Sequence, residues 1–266
     1  MRRVRTAFAG CVILLTSSLL LARVHPFGDA GLYAANGAGA GLMDHTAVPP
    51  GVRTILAAKC ADCHSLRVRT PIYGRFAPVS WLMERDIMRG RTAMNLSVWA
   101  SYSAAQQQTL AAKIVQETRE HEMPLPQYRM IHWDSRITNA DVTTLAGWAR
   151  TTSGLDSSAG GQAGAAGDPV HGKELFEKRC TGCHALTGNR EGPHLQDVYG
   201  RASGTATGFV YSAALKKTQI VWDDQSLDRW LTDPDAFIPG NNMDFLLARP
   251  QERRDIIEYL RQISGM

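Results

Sequence analysis

The sequence is poor in β-strand signals, in cysteine and in net charge. No segment shows the apolar–polar alternation of a convincing strand, so an all-α protein is expected. Much of the formal charge of +4 comes from the first thirty residues, which carry four Arg and one Asp. This balance gives no support to a nucleic-acid partner. The sequence also shows no nucleotide-binding motif and no His and carboxylate cluster for a substrate, which weighs against a free-standing enzyme.

Four of the five cysteines form two copies of one motif, Cys-x-x-Cys-His. Two thiols spaced in this way on one helical turn can reach the two vinyl groups of a single porphyrin, and the next imidazole can bind its iron. The spacing predicts two covalently attached haem c groups. One is held by Cys60, Cys63 and His64, and the other by Cys180, Cys183 and His184.

Two other interpretations of Cys-x-x-Cys fit less well. A thioredoxin-like redox pair requires a βαβ context, and neither motif has strand-rich flanks. A zinc site could be built from two such pairs, but they lie 120 positions apart and each carries its own histidine. The fifth cysteine, Cys11, lies in the N-terminal leader and is interpreted as an apolar leader residue.

The N-terminus has the form of an export signal. Arginines in the first five residues precede an apolar run over about 7–22, so residues 1–30 are interpreted as a signal peptide or an N-terminal anchor. A cleaved signal is favoured because the run is near the lower length limit of a spanning helix. Residues 38–40 offer one small-x-small cleavage site. Because haem c is attached outside the cytoplasmic membrane, the expected compartment is the periplasm or the periplasmic face of the inner membrane.

The composition along the chain predicts two helical domains. They cover residues 31–150 and 169–266, and a Gly/Ser/Ala-rich segment at 151–168 is predicted to be a flexible linker. A random coil of that length spans roughly 20–25 Å. Helices are predicted from about 52 to 60, at 81–88 with a stop near Gly90, and at 103–121, 139–150, 168–180, 212–217, 226–232 and 250–264.

The second domain resembles class I cytochrome c of the mitochondrial type over residues 169–266. The resemblance rests on Gly172 and Phe176 before the motif, Pro193 after it, and the segment 239–245. It implies that Met243 is the distal ligand opposite His184, and that the Pro193 carbonyl orients the His184 ring. It also implies that Arg201, Tyr211 and Trp222 contact the buried haem propionate, and that Gly172 and Phe176 cross the last helix near Tyr259. Asn241 and Asn242 replace the usual Thr-Lys of this family.

The first domain resembles the small bacterial haem-binding domain family over roughly residues 50–150. The resemblance rests on the order of Tyr73, Pro78, Trp81, Gly90, Asn95, Trp99, Met123, Tyr128, His132 and Trp148. It points to Met123 as the distal ligand of the first haem. His121 and His132 remain open as alternatives, as do Met88, Met94 and an iron with no sixth ligand. A histidine ligand would lower the reduction potential, because thioether sulfur favours reduced iron.

An iron whose two axial positions are filled by protein transfers single electrons and has no position for a substrate. The expected function is therefore a periplasmic di-haem c-type cytochrome that carries single electrons between respiratory or dehydrogenase partner proteins. An electron-transfer protein is favoured over an enzyme. The alternative is the haem subunit of a periplasmic oxidoreductase, or a di-haem peroxidase-like enzyme with an open sixth position on the N-terminal haem.

Overall fold

The computed structural model describes residues 2–33, 43, 48–154 and 166–265. In this part of the chain the regular structure is helical, and the only β feature is one isolated bridge between Ala202 and Val221. The predicted all-α fold is confirmed. The helices are α1 (Arg2–Leu21), α2 (Pro50–Lys59), α3 (Ala61–His64), α4 (Val79–Ala93), α5 (Ala104–Arg119), α6 (Pro126–Ile131), α7 (Asn139–Gly154), α8 (Pro169–Arg179), α9 (Ala213–Lys217), α10 (Asp224–Thr232), α11 (Pro234–Phe237) and α12 (Pro250–Ile263).

The chain forms two compact units, Met1–Ser101 and Tyr102–Met266. This division does not fall at the predicted linker, because α5, α6 and α7 belong to the second unit. The start of the predicted linker is also helical: α7 continues to Gly154, and the buried Thr152 donates its hydroxyl to the Trp148 carbonyl at 3.0 Å. Residues 155–165 lie outside the described part of the chain. The predicted domain boundaries and the flexibility of the linker remain predictions.

The first unit includes the segment that follows α1. Ala30 and Leu32 are buried against Ile87 of α4, and the indole nitrogen of Trp81 donates to the Leu21 carbonyl at 3.1 Å. Helix α4 runs to Ala93 rather than stopping near Gly90, so that part of the prediction is wrong. None of the described helices is both long enough and apolar enough to cross a membrane.

The second unit is organised by the crossing of α8 and α12. A Cβ atom on Gly172 would lie 2.5 Å from the Asp255 carbonyl carbon and 3.0 Å from Tyr259 Cβ, so only glycine permits this approach. The Phe176 and Tyr259 rings pack with centroids 5.5 Å apart. The predicted crossing is confirmed, and it places the end of α8 at the second Cys-x-x-Cys-His motif.

Helix α5 presents two different faces. It begins at a capping box, in which the Ser103 hydroxyl accepts from the Gln106 amide and the Gln106 side chain accepts from the Ser103 amide. Ala111, Ile114 and Val115 form a buried apolar stripe on this helix, which packs against α7. The helix also contacts α8, and this contact brings α5 to the second motif.

Candidate haem-binding sites

The first motif lies where α2 passes into α3. The Cys60 amide closes α2 by donating to the Leu56 carbonyl at 3.0 Å, and the Ser65 hydroxyl donates to the Ala61 carbonyl at 2.7 Å. The Cys63 side chain packs against the apolar cluster of the first unit. Burial, followed by the charges of Asp62 and Asp86, raises the pKa of the Cys63 thiol to about 11. Both cysteines are free thiols.

The His64 ring is held in one orientation by a backbone carbonyl. Its Nδ1 lies 3.1 Å from the Met94 carbonyl oxygen. Because a carbonyl can only accept, Nδ1 carries the proton and Nε2 keeps the lone pair that an iron would bind. Burial lowers the pKa of His64 and outweighs the opposing effect of this hydrogen bond, so the ring is neutral at pH 7. Sequence reasoning considered Met94 only as a sulfur ligand and missed the role of its backbone.

Two further contacts fix the first motif, and no sequence pattern indicates either. The guanidinium of Arg91 donates from Nε to the Ser65 carbonyl at 2.9 Å and from Nη2 to the Ala30 carbonyl at 3.0 Å. A Cβ atom on Gly90 would lie 2.8 Å from the Cys63 carbonyl oxygen. Helix α4 therefore lies directly against the motif.

The candidate distal ligands of the first haem differ in their surroundings. Met123 lies in the second unit and lines a cavity there. His121 is exposed with a φ of 60°, and His132 stacks on Tyr128 with ring centroids 4.2 Å apart. Met88 lies in the first unit, close to Gly28. The assignment of Met123 stays a prediction.

The second motif opens into a cavity that contains every residue predicted for the second site. Its lining includes Cys180, Cys183, His184, Pro193, Arg201, Tyr211, Trp222 and Met243. The Nδ1–H of His184 donates to the Pro193 carbonyl at 2.7 Å, so Nε2 is again the free nitrogen. Burial lowers the pKa of His184 against this hydrogen bond, which keeps the ring neutral. The same cavity therefore holds a nitrogen and a sulfur suited to iron.

The thiols of the second motif remain protonated in this environment. Burial raises the pKa of Cys180 to about 12 and that of Cys183 to about 11. Neither forms a disulfide. Both thiols therefore line the cavity in the reduced form that addition to a porphyrin vinyl group requires.

The hydrogen bonds of Arg201 indicate whether a haem propionate fits this cavity. Its Nη2 donates to the His194 carbonyl at 2.9 Å, whereas its Nε and Nη1 are buried without a partner. A buried guanidinium with unpaired N–H groups is costly, and a carboxylate is its best acceptor. Burial lowers the pKa of Arg201 and raises that of Tyr211. A carboxylate-bearing ligand in this cavity would supply the missing acceptor, so the residues fit haem.

Asn241 organises the loop that carries Met243. Gly240 has a φ of 84°, and the Met243 amide then donates to Asn241 Oδ1 at 2.6 Å. The buried Asn241 amide group donates in turn to the Ile238 carbonyl and to Asp235, both at 3.0 Å. The departure from the family pattern at this position thus has a structural role.

The structure adds three features that sequence reasoning missed. Gly192 lies against the His184 ring, because a Cβ atom added to this glycine would be 2.6 Å from Nδ1.

Four α5 residues, Thr109, Ala112, Gln116 and Glu120, also line the second cavity. Their spacing of three and four residues along the helix was the available signal. In the first unit, His25, Asp29 and the buried Glu84 lie together, a His and carboxylate cluster that no sequence pattern indicates. The 59 positions between His25 and Glu84 concealed it.

Comparison with known proteins identifies relatives of both parts of the chain. Residues 33–151 match the haem-binding domain family, and residues 169–264 match the cytochrome c family. A cytochrome c of Chlamydomonas reinhardtii is 42% identical over 104 residues, which cover 38% of this chain and 93% of that protein. One of Euglena viridis is 43% identical over 101 residues, covering 37% and 99%. Among solved structures, cytochrome cH from Methylobacterium extorquens is 39% identical, covering 36% and 99%, with a TM-score of 0.35.

Proposed function

Because this chain belongs to the cytochrome c family through residues 169–264 and has a haem-binding domain at residues 33–151, we propose that it is a periplasmic di-haem c-type cytochrome. It carries single electrons between respiratory or dehydrogenase partners. Electron transfer is the activity of the family. We propose in addition that there are two haems per chain, that each is bound covalently, and that the protein acts in the periplasm.

The observation that best supports this function is the shared cavity of His184 and Met243. A bound haem supplies an iron that gains or loses one electron at a time. His184 and Met243 would both be ligands of this iron, which would suit it to electron transfer rather than to binding a substrate. The protein therefore favours electron transfer over chemistry on a bound molecule.

The remaining residues of the second site hold the cofactor rather than react. Pro193 fixes the proton of His184 on Nδ1, which leaves Nε2 free to bind an iron. Trp222 is buried and packs against Trp230 with ring centroids 5.4 Å apart, so this wall of the cavity excludes water. Arg201 would pair with a carboxylate of the bound haem. A dry, charge-balanced pocket reorganises little when one electron arrives.

The first motif supports a second haem by the same arrangement. His64, like His184, has its Nδ1 proton held by a backbone carbonyl, and its pKa is lowered by burial. Two cysteines precede each histidine at the same spacing. We expect Cys60 and Cys63 to form thioether bonds, as we expect for the second pair.

The function is tested by counting haems and titrating them. Alkaline pyridine spectra of the purified holoprotein should give two haems per chain, and acid–acetone extraction should leave both on the protein. Potentiometric titration should show two reversible one-electron steps. One haem, or loss of haem on extraction, would contradict the proposal. Carbon monoxide binding to the reduced native protein would instead indicate an open sixth position on one haem, and hence the enzyme alternative.

The N-terminal segment bears on where the protein is held. Ala22, Ala30 and Leu32 are buried in the first unit, and His25 pairs at 2.5 Å with Glu84, whose side chain is fully buried. Cleavage at residues 38–40, which lie outside the described part of the chain, would remove all of these contacts and leave the Glu84 carboxylate without its partner. We infer that residues 22–33 stay on the mature protein.

Intact-mass measurement of protein from the periplasmic and membrane fractions tests this localisation. A chain that retains residues 22–33 and fractionates with the membrane would support the tether. A mature N-terminus beyond residue 33 would exclude it. Recovery in the cytoplasm would contradict the proposed compartment.

A further inference from the structure

One face of α5 lines the second cavity. Thr109, Ala112 and Gln116 recur at intervals of three and four residues, so they lie along one stripe of the helix. Ala112 belongs to the buried apolar cluster around the cavity. A Cβ atom on Gly182, inside the second motif, would lie 2.6 Å from Thr109 Cγ2. The helix thus lies directly on the peptide that carries the two haem-binding thiols.

The same helix holds the loop on the proximal side of the cavity. The Lys113 ammonium group pairs with the Glu191 carboxylate. The Gln116 amide donates to the Glu191 backbone carbonyl at 2.5 Å. Glu191 directly precedes Gly192 and Pro193, which contact His184.

Helix α5 also holds the loop that carries Met243 and Asp244. The Arg119 guanidinium binds both carboxylate oxygens of Asp244, at 2.6 and 3.0 Å. Such a two-point contact is the strongest geometry of an arginine–carboxylate pair. Asp244 follows Met243, and its carboxylate is buried. Helix α5 therefore bridges the loop next to His184 and the loop that carries Met243.

The chemistry of this contact differs from that on the other face of α5. Toward α7 the helix buries Ala111, Ile114 and Val115. Toward the second cavity it presents one small apolar residue among long polar and charged side chains. Contacts between parts that separate are more polar than permanent cores, and ion pairs at their rim weaken with salt. The cavity face of α5 is therefore more polar than its apolar stripe, and it is held to the two loops by ion pairs and hydrogen bonds.

We propose that α5 is a built-in docking partner of the second haem site, a lid that occupies the surface on which an external redox protein would approach the haem. This inference rests on the proposed function. While α5 is seated, an external reductant can pass its single electron to the iron only slowly. When α5 leaves, Glu191 and Asp244 become free, and this acidic surface suits a partner with a basic face. No covalent bond is made or broken.

The proposal is tested with single substitutions that remove the ion pairs between α5 and the two loops. Lys113→Glu and Glu191→Lys each remove the attraction on the proximal side, and the double variant restores it with the charges exchanged. Arg119→Ala opens the distal side. The matched control is Arg89→Ala, which removes an exposed positive charge from α4 in the first unit. The protein-sized probe is a reduced, basic class I cytochrome c in excess.

Stopped-flow reduction of the second haem by this probe should be about tenfold faster in Lys113→Glu and Arg119→Ala, because a hydrogen bond between charged groups contributes roughly a factor of ten or more to an equilibrium. Glu191→Lys should gain less, because it also removes part of the acidic surface that attracts the basic probe. The double variant should return to the wild-type rate, and Arg89→Ala should not differ from it. Equal rates in all variants would overturn the proposal.

A second experiment measures the movement of α5 away from the cavity without any electron transfer. In the holoprotein the thiol of Thr109→Cys should be alkylated by iodoacetamide slowly, and about tenfold faster when Arg119→Ala is added. Peptide mapping separates this thiol from Cys11. Equal alkylation rates would show that α5 is a permanent wall. Ascorbate, a small reductant, serves as the reference: failure of reversible one-electron reduction by ascorbate would overturn the proposed function itself, whereas normal reduction with equal variant rates would overturn only the lid.

Discussion

Gly192 is the position where one added methyl group should disturb the second haem most. In Gly192→Ala the new Cβ would lie 2.6 Å from His184 Nδ1 and 2.8 Å from Nε2. Carbon contacts in proteins are ordinarily about 3.5–4.0 Å, so the ring must move by about 1 Å. A shift of that size lengthens the hydrogen bond from Nδ1 to the Pro193 carbonyl from 2.7 Å to about 3.7 Å, beyond the hydrogen-bonding range.

The cost of this substitution has two parts. Overpacking a well-filled site typically costs about 1–3 kcal/mol, and the lost hydrogen bond adds about 0.5–1.5 kcal/mol. The free energy of unfolding should therefore fall by about 2–4 kcal/mol. Because the ring that moves is the proximal ligand, the weak far-red band of the methionine–iron bond and the reduction potential of this haem should change as well.

Denaturant unfolding of the holoprotein, followed by the haem absorption and by tryptophan fluorescence, measures the loss of stability. The control is Gly188→Ala in the same loop, where an added Cβ meets no atom within 4 Å. The control should keep the wild-type midpoint and spectrum. If Gly192→Ala also kept both, the close approach of this glycine to the proximal histidine would be refuted.

Three further outcomes are expected. Gly172→Ala should lower the free energy of unfolding by about 1–3 kcal/mol, because the methyl group meets the α12 backbone; an unchanged denaturation midpoint would contradict this crossing. Burial alone would raise the pKa of Glu191, but its hydrogen bond and charge interaction with Lys113 outweigh burial and lower it. The pair therefore stabilises the fold above the usual carboxyl range and is lost as the pH falls through the lowered pKa, so acidification should cost the wild type up to about 1 kcal/mol more than Glu191→Gln in parallel unfolding titrations. Met243→Ala and Met123→Ala should each remove one haem's share of the far-red band and lower its potential by on the order of 0.1–0.3 V, within the roughly 0.8 V that axial ligands span; a band unchanged in Met123→Ala would transfer that ligand role to another residue.

Local patterns predicted the helices well because their signals lie close together in the sequence. The capping serine of α5 is one example, and the Asp168 side chain that accepts the first amides of α8 is another. The extension of α4 past Gly90 was not predicted, since glycine ordinarily ends a helix. Here Gly90 is required for close packing on the carbonyl of Cys63, and this contact spans 27 positions of sequence.

The residues of the second site were predicted from a family pattern, and the structure brings all of them into one cavity. The partner of His64 was not predictable in the same way. The Met94 carbonyl lies 30 residues beyond the histidine and is a backbone atom, so no side chain marks it. The unpaired N–H groups of Arg201 likewise appear only when burial is known.

The sequence alone predicted the haem chemistry of this protein. Two thiols and an imidazole within five residues have the spacing of a haem attachment site, because the helical turn itself sets that spacing. Only the tertiary structure decided what surrounds each site. The position of α5 over the second cavity depends on side chains up to 125 residues apart, such as Arg119 and Asp244. Their pairing comes from packing in three dimensions, which no local pattern encodes.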